Sequence, residues 1–89
     1  MKNILVTGGA GFIGSAFVRH MVKAYPDYNI ITFDKLTYAG NLDNLLPVKD
    51  AANHSFVQGD IADSEAVRDA FEKFSVDTVV NFAAESHVD

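Results

Sequence analysis

Thr7-Gly8-Gly9-Ala10-Gly11-Phe12-Ile13-Gly14 is the stretch on which the fold turns. It contains G-x-G-x-x-G as Gly9, Gly11 and Gly14, and G-x-x-G-x-x-G as Gly8, Gly11 and Gly14. Ile4-Leu5-Val6 precedes it as a short buried strand. From Phe12 to about Ala24 the chain places Ile13, Phe17, Met21 and Val22 at helical spacing. A glycine-rich turn between a strand and a helix has a physical purpose. The first glycine lets the chain turn sharply, and Gly11 leaves room for a pyrophosphate to approach the backbone. Gly14 lets the helix pack closely on the strand. The N–H groups at the helix start, with the helix dipole, then favour a diphosphate. Phe12 and Ile13, inside the turn, are expected to be partly core.

Outward from the turn, short apolar runs alternate with helical periodicity. Pro26 and Asp27 break the first helix, and Ile30-Ile31-Thr32-Phe33 forms a second strand. The stretch from Asp34 to about Asn53 is the least regular, with Leu42, Leu45 and Leu46 suited to one short helix. Phe56-Val57 begins a third strand that stops at Gly59-Asp60. Val67, Ala70, Phe71 and Phe74 then lie on one face of a second helix, started by Asp63 or Ser64 with Glu65 behind it. Val76 to Phe82 reads as a fourth strand. This β-α-β-(short α)-β-α-β order predicts an α/β, Rossmann-like parallel sheet with strand order 3-2-1-4 and helices on both faces. The sheet is expected to be incomplete, the N-terminal part of a larger domain. Strand four would be an exposed edge, and the chain would be stable only as part of a longer polypeptide or with a partner.

The nucleotide is set by Asp34. It lies 20 residues after Gly14 and ends the second strand. A carboxylate there accepts hydrogen bonds from the adenosine ribose hydroxyls and repels a 2′-phosphate, which predicts NAD over NADP. Lys35 is the competing reading, as a phosphate ligand. A P-loop is excluded, because no Gly-Lys-Ser/Thr follows the turn.

Two further stretches narrow the field. Asp34-Lys35-Leu36-Thr37-Tyr38-Ala39-Gly40-Asn41 follows strand two, and Asn81-Phe82-Ala83-Ala84-Glu85-Ser86-His87-Val88-Asp89 follows strand four. With the glycine turn, they make the whole chain resemble the N-terminal part of the dTDP-glucose 4,6-dehydratase family. That family is a branch of the extended short-chain dehydrogenases/reductases. The resemblance implies that Phe12 and Ile13 present the helix start to the NAD diphosphate, and that Asp34, Lys35, Leu36 and Thr37 line the adenosine ribose. It implies that Asp60 accepts the exocyclic amine of adenine while Ile61 packs on the ring. Capping of the second helix is the competing role for Asp60. Phe82, Ala83, Ala84, Glu85 and Ser86 would run beside the nicotinamide-side ribose, with Ser86 and His87 facing the sugar nucleotide. For an intact enzyme it implies oxidation at C4 of the glucose of dTDP-glucose, loss of water across C5–C6 and return of the hydride to C6. The product would be a 4-keto-6-deoxy sugar nucleotide, which makes the enzyme a lyase. A homodimer is expected of the intact protein. The alternatives are a sugar-nucleotide epimerase, a GDP-mannose dehydratase, or a dinucleotide-binding module without catalysis. Epimerases would be expected to differ in the D-K-L-T and A-A-E-S-H stretches.

Composition limits the rest. The 89 residues carry a net charge of −5, which argues against nucleic acid as a partner. With no Cys there is no disulfide and no thiolate metal site. Only three apolar residues follow Lys2 and Asn3, too few for a secretory signal, and no run is long enough for a membrane span. A cytoplasmic protein is expected. Glu85-x-His87 is too sparse to predict a metal site. His20 and His54 are expected to do nothing chemical. No Tyr-x-x-x-Lys pair is present, so no catalytic residue is expected in these 89 residues and the segment alone should be inactive.

Overall fold

The computed structural model describes residues 2–36 and 42–82. Thr37, Ala83, Ala84, Glu85, Ser86 and His87 lie outside the described residues. Four strands, β1 (Asn3–Thr7), β2 (Asn29–Asp34), β3 (His54–Gln58) and β4 (Thr78–Asn81), form one sheet in the order β3-β2-β1-β4. All three pairings are parallel, with Leu5 beside Ile31 and Val79, and Val6 beside Thr32 and Val80. The connections are helix α1 (Phe12–Ala24), a 3₁₀ helix (Leu42–Val48) and helix α2 (Ser64–Phe74).

The apolar runs exist because the strands are covered on both faces. Ile4, Val6 and Ile30 pack beneath Val18 and Val22 of α1 and Leu45 and Val48 of the 3₁₀ helix. Leu5, Ile31 and Phe33 pack on the other face against Ala70 of α2. Each such side chain, fully buried, contributes about 1.5–3 kcal/mol relative to an exposed one. The expected strand order and two-sided covering are both found.

Three local readings differ. The fully buried stripe of α1 is Gly14, Ser15, Val18 and Val22; of the expected row, Val22 is buried and Phe17 and Met21 pack partly buried against the core, whereas Ile13 does not. Close approach to the turn requires small residues at 14 and 15, which rotates Ile13 outward. Phe12 and Ile13 are not core residues: they are 86% and 54% exposed. The fourth strand starts at Thr78 rather than Val76, because the Val76 N–H is used to close α2 on the Phe71 carbonyl at 3.1 Å. Val79, at the β4 edge, is half exposed.

Asp63 is the residue that caps α2, its side chain accepting from the N–H groups of Glu65 and Ala66. The other end of α2 terminates at Ser75, held in the left-handed region at φ 51°. Glycine adopts that conformation without a Cβ penalty. Ser75→Gly is therefore expected to stabilise the fold by about 0.5–1 kcal/mol, read as a shift in the denaturation midpoint.

Candidate functional site

The glycine turn sits at the carboxyl end of β1, in the middle of the sheet. Gly8 takes φ 74° and donates its N–H to the Phe33 carbonyl at 2.9 Å, which ties the turn to β2. Its own carbonyl accepts the Gly11 N–H at 3.1 Å. A Cβ on Gly14 would collide with that same Gly8 carbonyl, so the helix start lies directly on the turn.

The two helix N-termini are built differently. Asp63 satisfies the start of α2 and Glu65 sits in its first turn, so its positive end is already compensated. At α1 the capping residue is Gly11, no side chain caps the helix, and its first turn holds no acidic residue. Its leading N–H groups have no intrahelical acceptor. An anion at this point gains both those donors and the helix dipole.

Behind the turn, Ala10 is held by both backbone groups. Its N–H donates to Asp34 Oδ2 at 2.9 Å, and its carbonyl accepts from Asn44 Nδ2 at 2.9 Å. Arg19 Nη1 then donates to the Asn44 carbonyl at 2.7 Å and to Ser15 Oγ at 3.1 Å. This chain of bonds fixes the turn to α1, β2 and the 3₁₀ helix at once. Asp34 is 9% exposed, and its Oδ1 accepts the Leu36 N–H at 2.8 Å. One donor on each oxygen leaves lone pairs for ribose hydroxyls. Leu36 turns the chain there, at φ 61°.

Next along the sheet edge, Lys35 Nζ lies 3.3 Å from Asp60 Oδ2. Asp60 Oδ1 accepts the Ala62 N–H at 2.9 Å, and that bond, then Lys35, holds the Asp60 carboxyl below the ordinary carboxylate range. Asp60 is therefore not the cap of α2. Ile61, beside it, is half exposed. At the opposite side, Phe82 packs its ring on Phe17 with centroids 5.4 Å apart, and its N–H donates to the Thr7 carbonyl at 2.7 Å. The Thr7 hydroxyl donates to the Asn81 side-chain carbonyl, joining the ends of β1 and β4.

Residues 5–89 match the family model described as GDP-mannose 4,6 dehydratase. The chain belongs to this family. dTDP-D-glucose 4,6-dehydratase of Mus musculus is 51% identical over 88 residues, which is 99% of this chain and 25% of that one. The crystal structure of dTDP-glucose 4,6-dehydratase from Bacillus anthracis, in complex with NAD, superposes with a TM-score of 0.93. It has 51% identity and covers 97% of this chain and 28% of that one. UDP-glucose 4-epimerase from Thermotoga maritima is more distant, at 36% identity and a TM-score of 0.75, over 91% of this chain and 24% of that one. The chain thus spans about a quarter of the length of the relatives it matches. The sequence-level likeness to the N-terminal part of the dTDP-glucose 4,6-dehydratases is shown by these matches.

The residues of this GDP-mannose 4,6 dehydratase family member fit a dinucleotide. The uncapped helix start, the small turn in front of it and the carboxylate at the end of β2 lie side by side. Asn44 and Arg19 are the residues that sequence reasoning missed. Their long-range partners lie 25 and 34 positions away, and the i, i+4 spacing of Ser15 and Arg19 is the local part of the network. Among the described residues, no cluster of three or more His, Cys, Asp or Glu is placed to hold a metal ion. Among the described residues, no helix is long and apolar enough to cross a membrane.

His54, on β3, has a structural task. Its Nε2 lies 2.8 Å from the Thr32 hydroxyl, and it lines a cavity of about 370 Å³ with Leu42, Asp43, Leu45, Leu46, Lys49 and Phe56. Burial pushes its imidazole below the ordinary value of 6.5, opposed by a hydrogen bond to the backbone of Val48. The unfolded chain therefore binds the proton first. The resulting stability is complete above about pH 6.5 and is lost as pH falls from there through the lower folded value. The midpoint of thermal unfolding is expected to drop between about pH 7.5 and pH 5.5, and His54→Gln is expected to flatten that drop.

Proposed function

We propose that this chain is the cofactor-binding end of an NAD-dependent dTDP-glucose 4,6-dehydratase. The observation that carries the reading is the open start of α1 beside the Asp34 carboxylate. Gly8, Gly11, Phe12, Ile13 and Gly14 would take the diphosphate at that helix start. Asp34, Lys35, Leu36 and Thr37 would hold the adenosine ribose, and Asp60 and Ile61 the adenine. Phe82, Ala83, Ala84, Glu85 and Ser86 would run along the nicotinamide ribose, with Ser86 and His87 toward the sugar nucleotide. Bound NAD would supply a reversible hydride acceptor.

The residues described here do positioning work. The helix start compensates diphosphate charge, and Asp34 binds the ribose while holding the Ala10 N–H behind the turn. Stronger identity to dTDP-glucose dehydratases than to the epimerase supports 4,6-dehydration over 4-epimerisation. On this reading the protein works as a cytoplasmic homodimeric lyase, without nucleic acid or membrane partners. Residues 1–89 then form the first part of its NAD-binding domain and are inactive alone.

The test is turnover of dTDP-glucose by the intact protein, followed as formation of the 4-keto-6-deoxy product. UDP-glucose, GDP-mannose and UDP-galactose serve as competing substrates. Preferred turnover of dTDP-glucose supports the assignment. Preference for another sugar nucleotide, or 4-epimerisation without loss of water, overturns it.

A further inference from the structure

The ends of β2 and β3 place two readings of the sequence against each other. Lys35 follows the ribose carboxylate Asp34 directly, where an ammonium group would attract a 2′-phosphate. In the fold that ammonium group is turned onto Asp60, 3.3 Å from its Oδ2. The contact is held from both sides. The Gly59 N–H donates to the Asp34 carbonyl at 3.0 Å, which brings the two strand ends together. Asp60 is itself fixed, its Oδ1 by the Ala62 N–H at 2.9 Å and its carbonyl by the Asp63 N–H at 2.8 Å. Lys35 is exposed and Asp60 partly so, with side chains 57% and 41% accessible, so a ligand can reach the pair.

We propose that Asp60 is a specificity-determining residue for the cofactor, acting by holding Lys35 away from the 2′ position of the adenosine ribose. Asp34 repels a 2′-phosphate directly, and Asp60 engages the adjacent ammonium group that would attract it. The inference rests on the NAD reading above and adds a second determinant to it. An exposed ion pair is worth about one kcal/mol or less, so the effect sought is modest in size and specific in form.

The experiment measures NAD and NADP dissociation constants for the intact protein and for Asp60→Asn, Lys35→Ala and the double variant. The readout is the ratio of the two constants in each protein. Adenine is common to both nucleotides, so a lost adenine contact cancels in the ratio. Asp60→Asn is expected to shift the ratio toward NADP by roughly three- to fivefold at low salt. The shift is expected to shrink at about 1 M salt. In the Lys35→Ala background the same change is expected to have no effect on the ratio. An unchanged ratio in Asp60→Asn overturns the proposal. An equal shift with and without Lys35 also overturns it, because Asp60 would then act by its own charge. If the unaltered protein binds neither nucleotide, the NAD reading itself fails. If it binds NAD and the ratio does not move, only the role of Asp60 fails.

Discussion

Gly14→Ala is expected to destabilise the fold by about 2–3 kcal/mol and to abolish dinucleotide binding. Two effects compete at this position. Alanine is the better helix former, by roughly 0.8–1 kcal/mol over glycine in a helix interior. The added Cβ, however, would meet the Gly8 carbonyl oxygen and would sit 3.1 Å from the Gly9 Cα. These are backbone atoms of a turn pinned to Phe33 and Asp34, so they have little room to yield. The clash wins, and α1 is pushed off the turn. Denaturant unfolding and NAD titration of the same variant check both consequences. A stabilised protein that still binds NAD would show that helix propensity governs the site and that the close approach is immaterial.

Asp34→Ala is the second large effect. Loss of ribose hydrogen bonds to a charged acceptor is expected to weaken NAD binding by roughly 1.5–3 kcal/mol, which is about ten- to 150-fold. Discrimination against NADP should relax in the same variant. The structure adds a cost that the sequence did not show. The Ala10 N–H loses its acceptor in a place where Ala10 is fully buried, worth about another 1–3 kcal/mol of stability. Asp34→Asn separates the two roles, because an amide oxygen can still accept from Ala10 but presents no charge to the ribose. The Asn variant keeps the Ala10 bond but sets its amide NH2 against the Leu36 N–H, so it is expected to recover only part of the stability and to remain deficient in NAD binding. Recovery of both would mean that Asp34 acts only as a brace.

The strand-turn-helix frame was legible because its signal is local. Three apolar residues, a run of glycines and a helical period appear in the first 24 positions, and the glycine-to-carboxylate spacing follows from the length of α1. The parallel order was legible for a related reason: runs such as Ile30-Ile31-Thr32-Phe33 make sense only when both faces are covered. What failed to show in the sequence is contact between distant segments. Asp34 was readable as a ribose ligand but not as the brace of Ala10. Asn44 and Arg19 sit in unremarkable contexts and gain their role only when the 3₁₀ helix folds over α1. Lys35 and Asp60 each carried a separate competing reading, phosphate ligand and helix cap, and the fold gives them to each other. Phe12 and Ile13 look like core by composition, and only the packing of Gly14 and Ser15 shows that they face outward.

The most direct measurement is a calorimetric titration of the intact protein with NAD and, separately, with NADP. Saturable binding of one NAD per chain, clearly tighter than NADP, is the expected result. Absence of NAD binding, or tighter binding of NADP, would contradict the assignment of the glycine turn and Asp34 as the dinucleotide site.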